Sequence, residues 1–511
     1  MVYLEGGIAS TRYSTDHEPI FRQESYFHYL FGVREPDVSG CVEIATGRAT
    51  LFVPRLPEDY ATVMGRIKTT EEIREEYGVD EVRYGEADEI ERYLVEALER
   101  AGKKKKENGG ENSHPESDGQ SSSADADGGS PELLLLSGLN TDSGETSDPP
   151  SFPASSPLTP FLNESALHPD LAECRVVKSE AELSLLRHVT ELSSFAHAYA
   201  MRATRPGMTE YQSESLFRHY CYYNGGARHL GYTAICGCGP SSAVLHYGHA
   251  GAPNDRSVGE GDLCLFDLGA EYCCYGSDVT CTFPASGTFD ERQRAVYGGV
   301  LDAQRAVMEM LRSGTSWVDC HKAAEACILR ALIGIGIVHP GEKTVEDLVD
   351  MRLGAVFMPN GLGHFIGIDT HDVGGYLPGD PPRIMEPGFR SLRTARIMRA
   401  GMVITVEPGC YFIDHLLDAA LVAGSPLERY LDADLIDGHF RGFGGIRLED
   451  VVAVTETGCV NFTLCPRTVD EVEAVKRGGK WPPVSDEAPE LRRERLCKTF
   501  DTVTVGFAGF P

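Results

Sequence analysis

The sequence predicts an α+β protein of two domains, the second built around a cluster of metal-ligating side chains. Three observations predict it. The chain has 511 residues, more than one ordinary hydrophobic core serves. Short strand-like apolar runs alternate with amphipathic helical stretches along most of it. Four carboxylates and one imidazole stand at strand ends or glycine turns: Asp267 in LFDLGAEYC, Asp278 in YGSDVTCTF, His364 in NGLGHFIG, Glu407 in TVEPG and Glu449 in GIRLED.

Residues 1–172 form the first expected domain. Val42–Ala45 and Ala49–Val53 read as a hairpin around Thr46-Gly47-Arg48. Glu71–Tyr77 and Ala87–Arg100 read as charged, amphipathic helices. Lys103-Lys104-Lys105-Lys106 then opens a stretch rich in Glu, Asn, Ser, Asp and Gly. Residues 102–131 are expected to be a disordered insert, because they cannot bury enough apolar surface to offset ordering entropy. The lysine run reads as the solvated start of that insert rather than a nuclear signal. Order resumes at Leu133–Leu136, a buried-strand signal.

Residues 173–475 form the second expected domain. Ser179 with Glu182 reads as a capping box, and Leu183, Leu186 and Val189 then recur at helical spacing. Further helices are expected around Arg292–Leu311 and Asp319–Ile333, among strands separated by glycine-rich turns. The residues with candidate chemistry lie between Tyr232 and Glu449. Residues 476–511 are rich in proline and charge and are expected to be a peripheral tail.

Composition excludes several classes. The formal net charge is −30, so there is no basic footprint for nucleic acid or an anionic membrane. No apolar run approaches spanning length, and the start lacks the pattern of a secretory leader. The 15 cysteines are scattered, with no CxxC pair repeated at zinc spacing. Cys236 and Cys238 read as packing residues. Free thiols point to a reducing compartment, and a cytoplasmic location is expected. The same expectation leaves the patterns Asn163-Glu164-Ser165 and Asn461-Phe462-Thr463 unglycosylated.

The acidic cluster has a physical logic. Asp267 closes the apolar run Leu263–Phe266, where a charge is costly unless paired or metal-bound. Asp278 opens the next strand, and antiparallel neighbours bring two such carboxylates side by side. They repel unless a cation sits between them. Glycines around His364 let the backbone approach closely. Glu407 follows the strand Met402–Val406 and precedes the turn Pro408-Gly409. Glu449 ends the strand Ile446–Leu448. Oxygen-rich coordination with one imidazole suits Mn²⁺ first and admits Co²⁺, Zn²⁺ or Fe²⁺. Two such ions suit hydrolysis. No HExxH, GxSxG or Walker A motif competes.

The segments LHYGHAGAPND, FDLGAEY, SDVTCTFPASG, GLGHFIGIDTHDVGGY, SLRTAR, TVEPGCYFIDH and RGFGGIRLED, with FRQESYFHYLFGV nearer the start, resemble the eukaryotic prolidase (Xaa-Pro dipeptidase) family of pita-bread metallopeptidases. The resemblance covers nearly the whole chain except the insert and the tail. It implies a creatinase-like N-terminal α/β domain followed by a pita-bread catalytic domain, assembled as a homodimer. It implies two Mn²⁺ ions, with Asp278 and Glu449 bridging both, Asp267 serving one, and His364 and Glu407 serving the other. A metal-bridging hydroxide would attack the carbonyl before proline, and Glu407 would carry its proton to the leaving nitrogen.

The match implies three further roles. His246 and His371 contact the substrate and stabilise the developing oxyanion. Arg393 takes the C-terminal carboxylate of proline, a task suited to a guanidinium fork, and so limits substrates to proline-containing dipeptides. Tyr232 lines the pocket. Alone, each histidine would read as structural and Arg393 as a surface charge. Two departures stand out. The family has histidine four residues before the metal histidine, where this chain has Asn360, which does not titrate. The chain also opens at VYLEGGIASTRYSTD, which resembles a point well inside the family's first domain, so the start of that domain is expected to be missing. Two alternatives remain: an aminopeptidase P acting on longer Xaa-Pro peptides, and a weakly active or inactive pseudoenzyme kept as a binding module.

Overall fold

A computed structural model describes residues 1–108, 130–494 and 496. The chain divides into two compact units, Met1–Glu173 and a second that begins at Cys174. Both mix helix and sheet.

The first unit is organised by a six-stranded sheet in the order Glu81–Tyr84, Arg48–Val53, Ser39–Glu43, Val2–Glu5, Leu133–Leu135, Leu162–Asn163. The expected hairpin supplies its second and third strands, with Glu43 opposite Arg48 and Gly47 supplying the left-handed turn residue (φ +70°). Leu133–Leu135 lies parallel to Val2–Glu5, and both outer leucines are fully buried. Tyr93, Leu94, Ala97 and Leu98, at helical spacing, cover the sheet from the helix Ala87–Asn108. That helix runs past Arg100 through the lysine run. The opening of the expected insert, 102–108, is therefore helical, in keeping with the good helix propensity of Lys and Glu. The remaining expectation of disorder falls on residues 109–129, which lie outside the described residues.

The second unit carries the candidate chemistry. One antiparallel sheet joins Ile235–Cys238, Leu263–Asp267 and Thr280–Pro284; another joins Val403–Val406, Asp450–Val454 and Cys459–Asn461. Gly409–Tyr411 pairs with Gly445–Arg447. The capping box at Ser179 and Glu182 forms and starts the helix Glu180–Ala203. The helices Glu291–Met310 and Trp317–Gly334 pack on each other. Cys236 and Cys238 are buried strand residues within the core, as packing residues should be.

The expected peripheral tail is corrected for its described part. Ala488 and Leu491 are fully buried in the core of the second unit. Trp481 donates its indole N–H to the Leu464 carbonyl at 2.7 Å, and the buried Arg493 pairs with Glu471 at 2.8 Å and with Asp486. The charges that read as solvated surface neutralise one another inside. Among the described residues, no helix is long and apolar enough to cross a membrane.

Candidate metal centre

Asp267 ends its strand directly opposite Thr280, the first residue of the neighbouring strand. Asp278 lies two residues before Thr280. It is delivered by the hairpin Ala270–Gly276, whose tip residues Cys273 and Cys274 both take positive φ. Ser193 of the helix Glu180–Ala203 pins that hairpin, meeting Ser277 Oγ at 2.8 Å and accepting from the Ala270 N–H at 3.1 Å. Glu449 bridges back to Thr280, which donates its hydroxyl to Glu449 Oε2 at 2.7 Å.

His364 is threaded against the strand Val403–Val406. A Cβ on Gly363 would lie 1.9 Å from the Thr405 carbonyl oxygen, so only glycine permits this approach. The imidazole Nδ1–H donates to the Phe365 carbonyl at 2.9 Å. That bond turns Nε2 toward the carboxylates. Burial works against the imidazolium, but Asp278 and Glu407 outweigh it and raise its pKa, and a metal would take Nε2 in place of that proton. Nε2 lies 3.3 Å from Asp278, 3.7 Å from Glu407 and 4.0 Å from Glu449.

The five expected ligands therefore converge. Ligand atoms of Asp267, Asp278 and Glu449 lie within 4.8 Å of one another, as do those of His364, Glu407 and Glu449, and those of Asp278, His364 and His371. The other expected residues surround them. The His371 ring stands edge-to-face on His364 at 4.5 Å. The Tyr232 hydroxyl donates to Asp267 Oδ1. His246 is exposed, within electrostatic reach of Arg393 and Arg447. The charge of Arg393 also reaches His371 and Glu407. Asn360 donates through Nδ2 to the Glu407 carbonyl at 3.2 Å, and its Oδ1 is buried without a partner.

Sequence reasoning missed Arg447. This buried guanidinium donates to Asp267 Oδ2, to the Tyr411 hydroxyl at 2.7 Å and to Thr280 Oγ1 at 3.0 Å. One signal was available: in an extended segment, residues two apart share a face, which puts Arg447 beside Glu449. It also missed the clamp beneath His371, where the buried Asp372 takes Arg175 at 2.6 Å and Lys178 at 2.7 Å.

A family model described as metallopeptidase family M24 matches residues 184–456, and one for the aminopeptidase P N-terminal domain matches residues 1–105. The chain belongs to metallopeptidase family M24. It is 48% identical to a human protein named Xaa-Pro dipeptidase, over 94% of this chain and 89% of that one. It is 33% identical to a probable Xaa-Pro aminopeptidase of Verticillium alfalfae, over 93% of this chain and 91% of that one. Among solved structures, an aminopeptidase P variant from Escherichia coli aligns with a TM-score of 0.68 at 26% identity, covering 94% of each chain. Both family models together match the creatinase-like and pita-bread order expected from the sequence.

The electrostatics of this M24 chain fit a divalent-metal centre. Burial, reinforced by the charge of Asp278, pushes Asp267 up to about 7 against the pull of Arg447. Burial and the neighbouring carboxylates hold Glu449 well above the usual range and raise Glu407. Burial also opposes ionisation of Asp278, but His364 outweighs it and keeps that carboxyl low. Asp278 Oδ1 is buried with no hydrogen-bond partner. Four carboxylates crowd a space that one arginine and one histidine do not neutralise. Divalent cations would relieve that repulsion and take up the orphaned oxygen.

Proposed function

We propose that this chain is an Xaa-Pro dipeptidase, hydrolysing the bond before proline in dipeptides. The observation that carries the reading is the convergence of Asp267, Asp278, His364, Glu407 and Glu449 on one buried space, with Arg393 within electrostatic reach. The greater identity to the human dipeptidase than to the fungal aminopeptidase supports it.

In this reading Asp267, Asp278, His364, Glu407 and Glu449 would hold a pair of divalent metal ions. Mn²⁺ is the proposed metal, as the oxygen-rich donor set favours it. Bound there, a pair of divalent cations would lower the pKa of a water toward neutrality and polarise a carbonyl. Glu407, its carboxyl raised by burial, accepts the proton from that water and returns it to the imide nitrogen of proline. Partial burial and the charge of Arg393 lower His371. Partial burial and Arg393 also lower His246. Both rings are therefore neutral at pH 7 and donate N–H bonds where the oxyanion develops. Arg393 receives the substrate carboxylate through its planar donor fork. Tyr232 orients Asp267 and lines the pocket.

We further propose a homodimer in the cytoplasm. The location is supported by the described cysteines, which stand as thiols rather than in disulfides. The deciding experiment compares hydrolysis of Gly-Pro and Gly-Pro-Ala by the purified protein, before and after chelation and with added Mn²⁺. Metal-dependent preference for Gly-Pro is expected. Preference for the tripeptide would replace this reading with an aminopeptidase. Two bound ions with no hydrolysis of either peptide would replace it with a binding module.

A further inference from the structure

Arg393 sits at the end of a segment held from beneath by a buried ion pair. Glu325, on the helix Trp317–Gly334, is fully buried. Arg352 offers it both terminal nitrogens, Nη1 to Oε2 at 2.7 Å and Nη2 to Oε1. The third guanidinium nitrogen, Nε, donates to the Pro387 carbonyl at 2.9 Å. The face of the same guanidinium lies 3.7 Å from the centre of the buried Phe389 ring. Between these two contacts, Gly388 takes φ +81°, and a Cβ there would stand 2.6 Å from Arg352 Nη2. Arg352 itself takes φ +61°, a left-handed conformation that costs a non-glycine residue and persists only where its surroundings enforce it.

The contact chain leads directly to Arg393. Phe389–Ser391 form one 3₁₀ turn, closed by the Leu392 N–H donating to the Phe389 carbonyl at 2.9 Å. Arg393 follows. Its carbonyl oxygen would lie 2.0 Å from a Cβ on Gly375, so the backbone is confined on the far side as well. An aliphatic side chain could fill the volume of Arg352. It could not hold Glu325, bond Pro387 and stack on Phe389 at once. Lysine would keep the charge but lose the fork and the stacking plane.

We propose that Arg352, fixed by Glu325, is the positioning residue that sets where Arg393 stands, and so sets the demand for a free carboxylate on the residue after the scissile bond. This rests on the reading of Arg393 as the carboxylate receptor. A purely stabilising ion pair would, when weakened, lower the melting temperature and the active fraction. A positioning pair instead changes how substrates are ranked.

The test measures kcat and KM on glycyl-proline and glycyl-prolinamide for the Mn²⁺-loaded enzyme and for Arg352→Lys, with metal content and melting temperature alongside. The unaltered enzyme should strongly favour the free carboxylate. In Arg352→Lys the KM for glycyl-proline should rise about tenfold or more, kcat should hold within about twofold, and the preference over the amide should collapse. Equal use of both compounds by the unaltered enzyme would overturn the Arg393 reading and this inference with it. A preserved preference at unchanged KM in Arg352→Lys would overturn this inference alone. Should Arg352→Lys not fold, Phe389→Leu decides, since it leaves the ion pair intact and removes only the stacking ring. It should show the same rise in KM to a smaller degree, and an unchanged KM there would overturn the inference.

Discussion

Arg447 donates through Nη2 to Asp267 Oδ2 in the buried heart of the second unit. Burial alone would strip the guanidinium of charge, but Tyr411, Asp267 and Glu449 around it hold its pKa well above the usual value. It is thus a fixed cation that orients one expected ligand while leaving that ligand's Oδ1 to Tyr232.

Replacing it with methionine keeps the bulk and removes the charge. Asp267 then loses its anchor and Tyr411 its donor. Metal affinity or activity should fall about 10- to 100-fold, the range for groups that support metal ligands. Metal titration followed by kcat/KM on Gly-Pro checks this. A variant that binds Mn²⁺ with unaltered affinity and turnover would contradict the assigned role.

Asp278 has more at stake. Its Oδ2 faces His364 at 3.3 Å and its Oδ1 has no protein partner. Asp278→Asn keeps the shape but removes the charge that two ions would share. Activity should fall by more than about 100-fold, beyond the loss expected for a supporting residue. Bound metal should drop below two ions per chain. Elemental analysis and the Gly-Pro assay read the two effects separately.

The contrast between these two residues shows what the sequence made legible. Asp267, Asp278, His364, Glu407 and Glu449 each adjoin a strand end or a glycine turn, and a costly charge in an apolar setting announces itself locally. Arg447 offers only its spacing of two from Glu449, and an arginine on a short strand otherwise reads as edge surface. Its burial follows only from how Gly445–Arg447 packs, where the Thr282 hydroxyl donates to the Arg447 carbonyl and accepts from the Arg447 N–H between two sheets. The tail misled for the same reason. Arg493 reads as solvated until Glu471 and Asp486 arrive from other segments. Long-range pairing of charges is the part that local pattern does not encode.

Gly363 offers a backbone test. A Cβ there would overlap the Thr405 carbonyl at 1.9 Å and the Trp317 ring at 2.9 Å. Gly363→Ala must push His364 away from the strand that seats it. It should cost about 1–3 kcal/mol and weaken metal binding as well. Gly298 is the control, since it lies within the helix Glu291–Met310 with open space at its Cβ position. Gly298→Ala should instead stabilise by about 0.5–1 kcal/mol. Thermal unfolding of both variants, with and without Mn²⁺, checks the pair.

Asp372 ties the His371 loop to Arg175 and Lys178, all three side chains being about 1% exposed. Burial works against its charge, but Lys178 and Arg175 outweigh burial and hold the carboxyl below its usual value. In the unfolded chain the group titrates near about 3.9. Above that value both states are ionised and the clamp contributes its full stability. As pH falls below it, the unfolded chain takes up the proton first, so the contribution shrinks and is gone once pH passes the lower folded value. Asp372→Asn should therefore destabilise the protein at pH 7, and the gap to the unaltered chain should narrow steadily from about pH 5 downward. Unfolding measured across that range gives the answer. A gap that stays constant to pH 3 would mean that Asp372 is not charged in the fold.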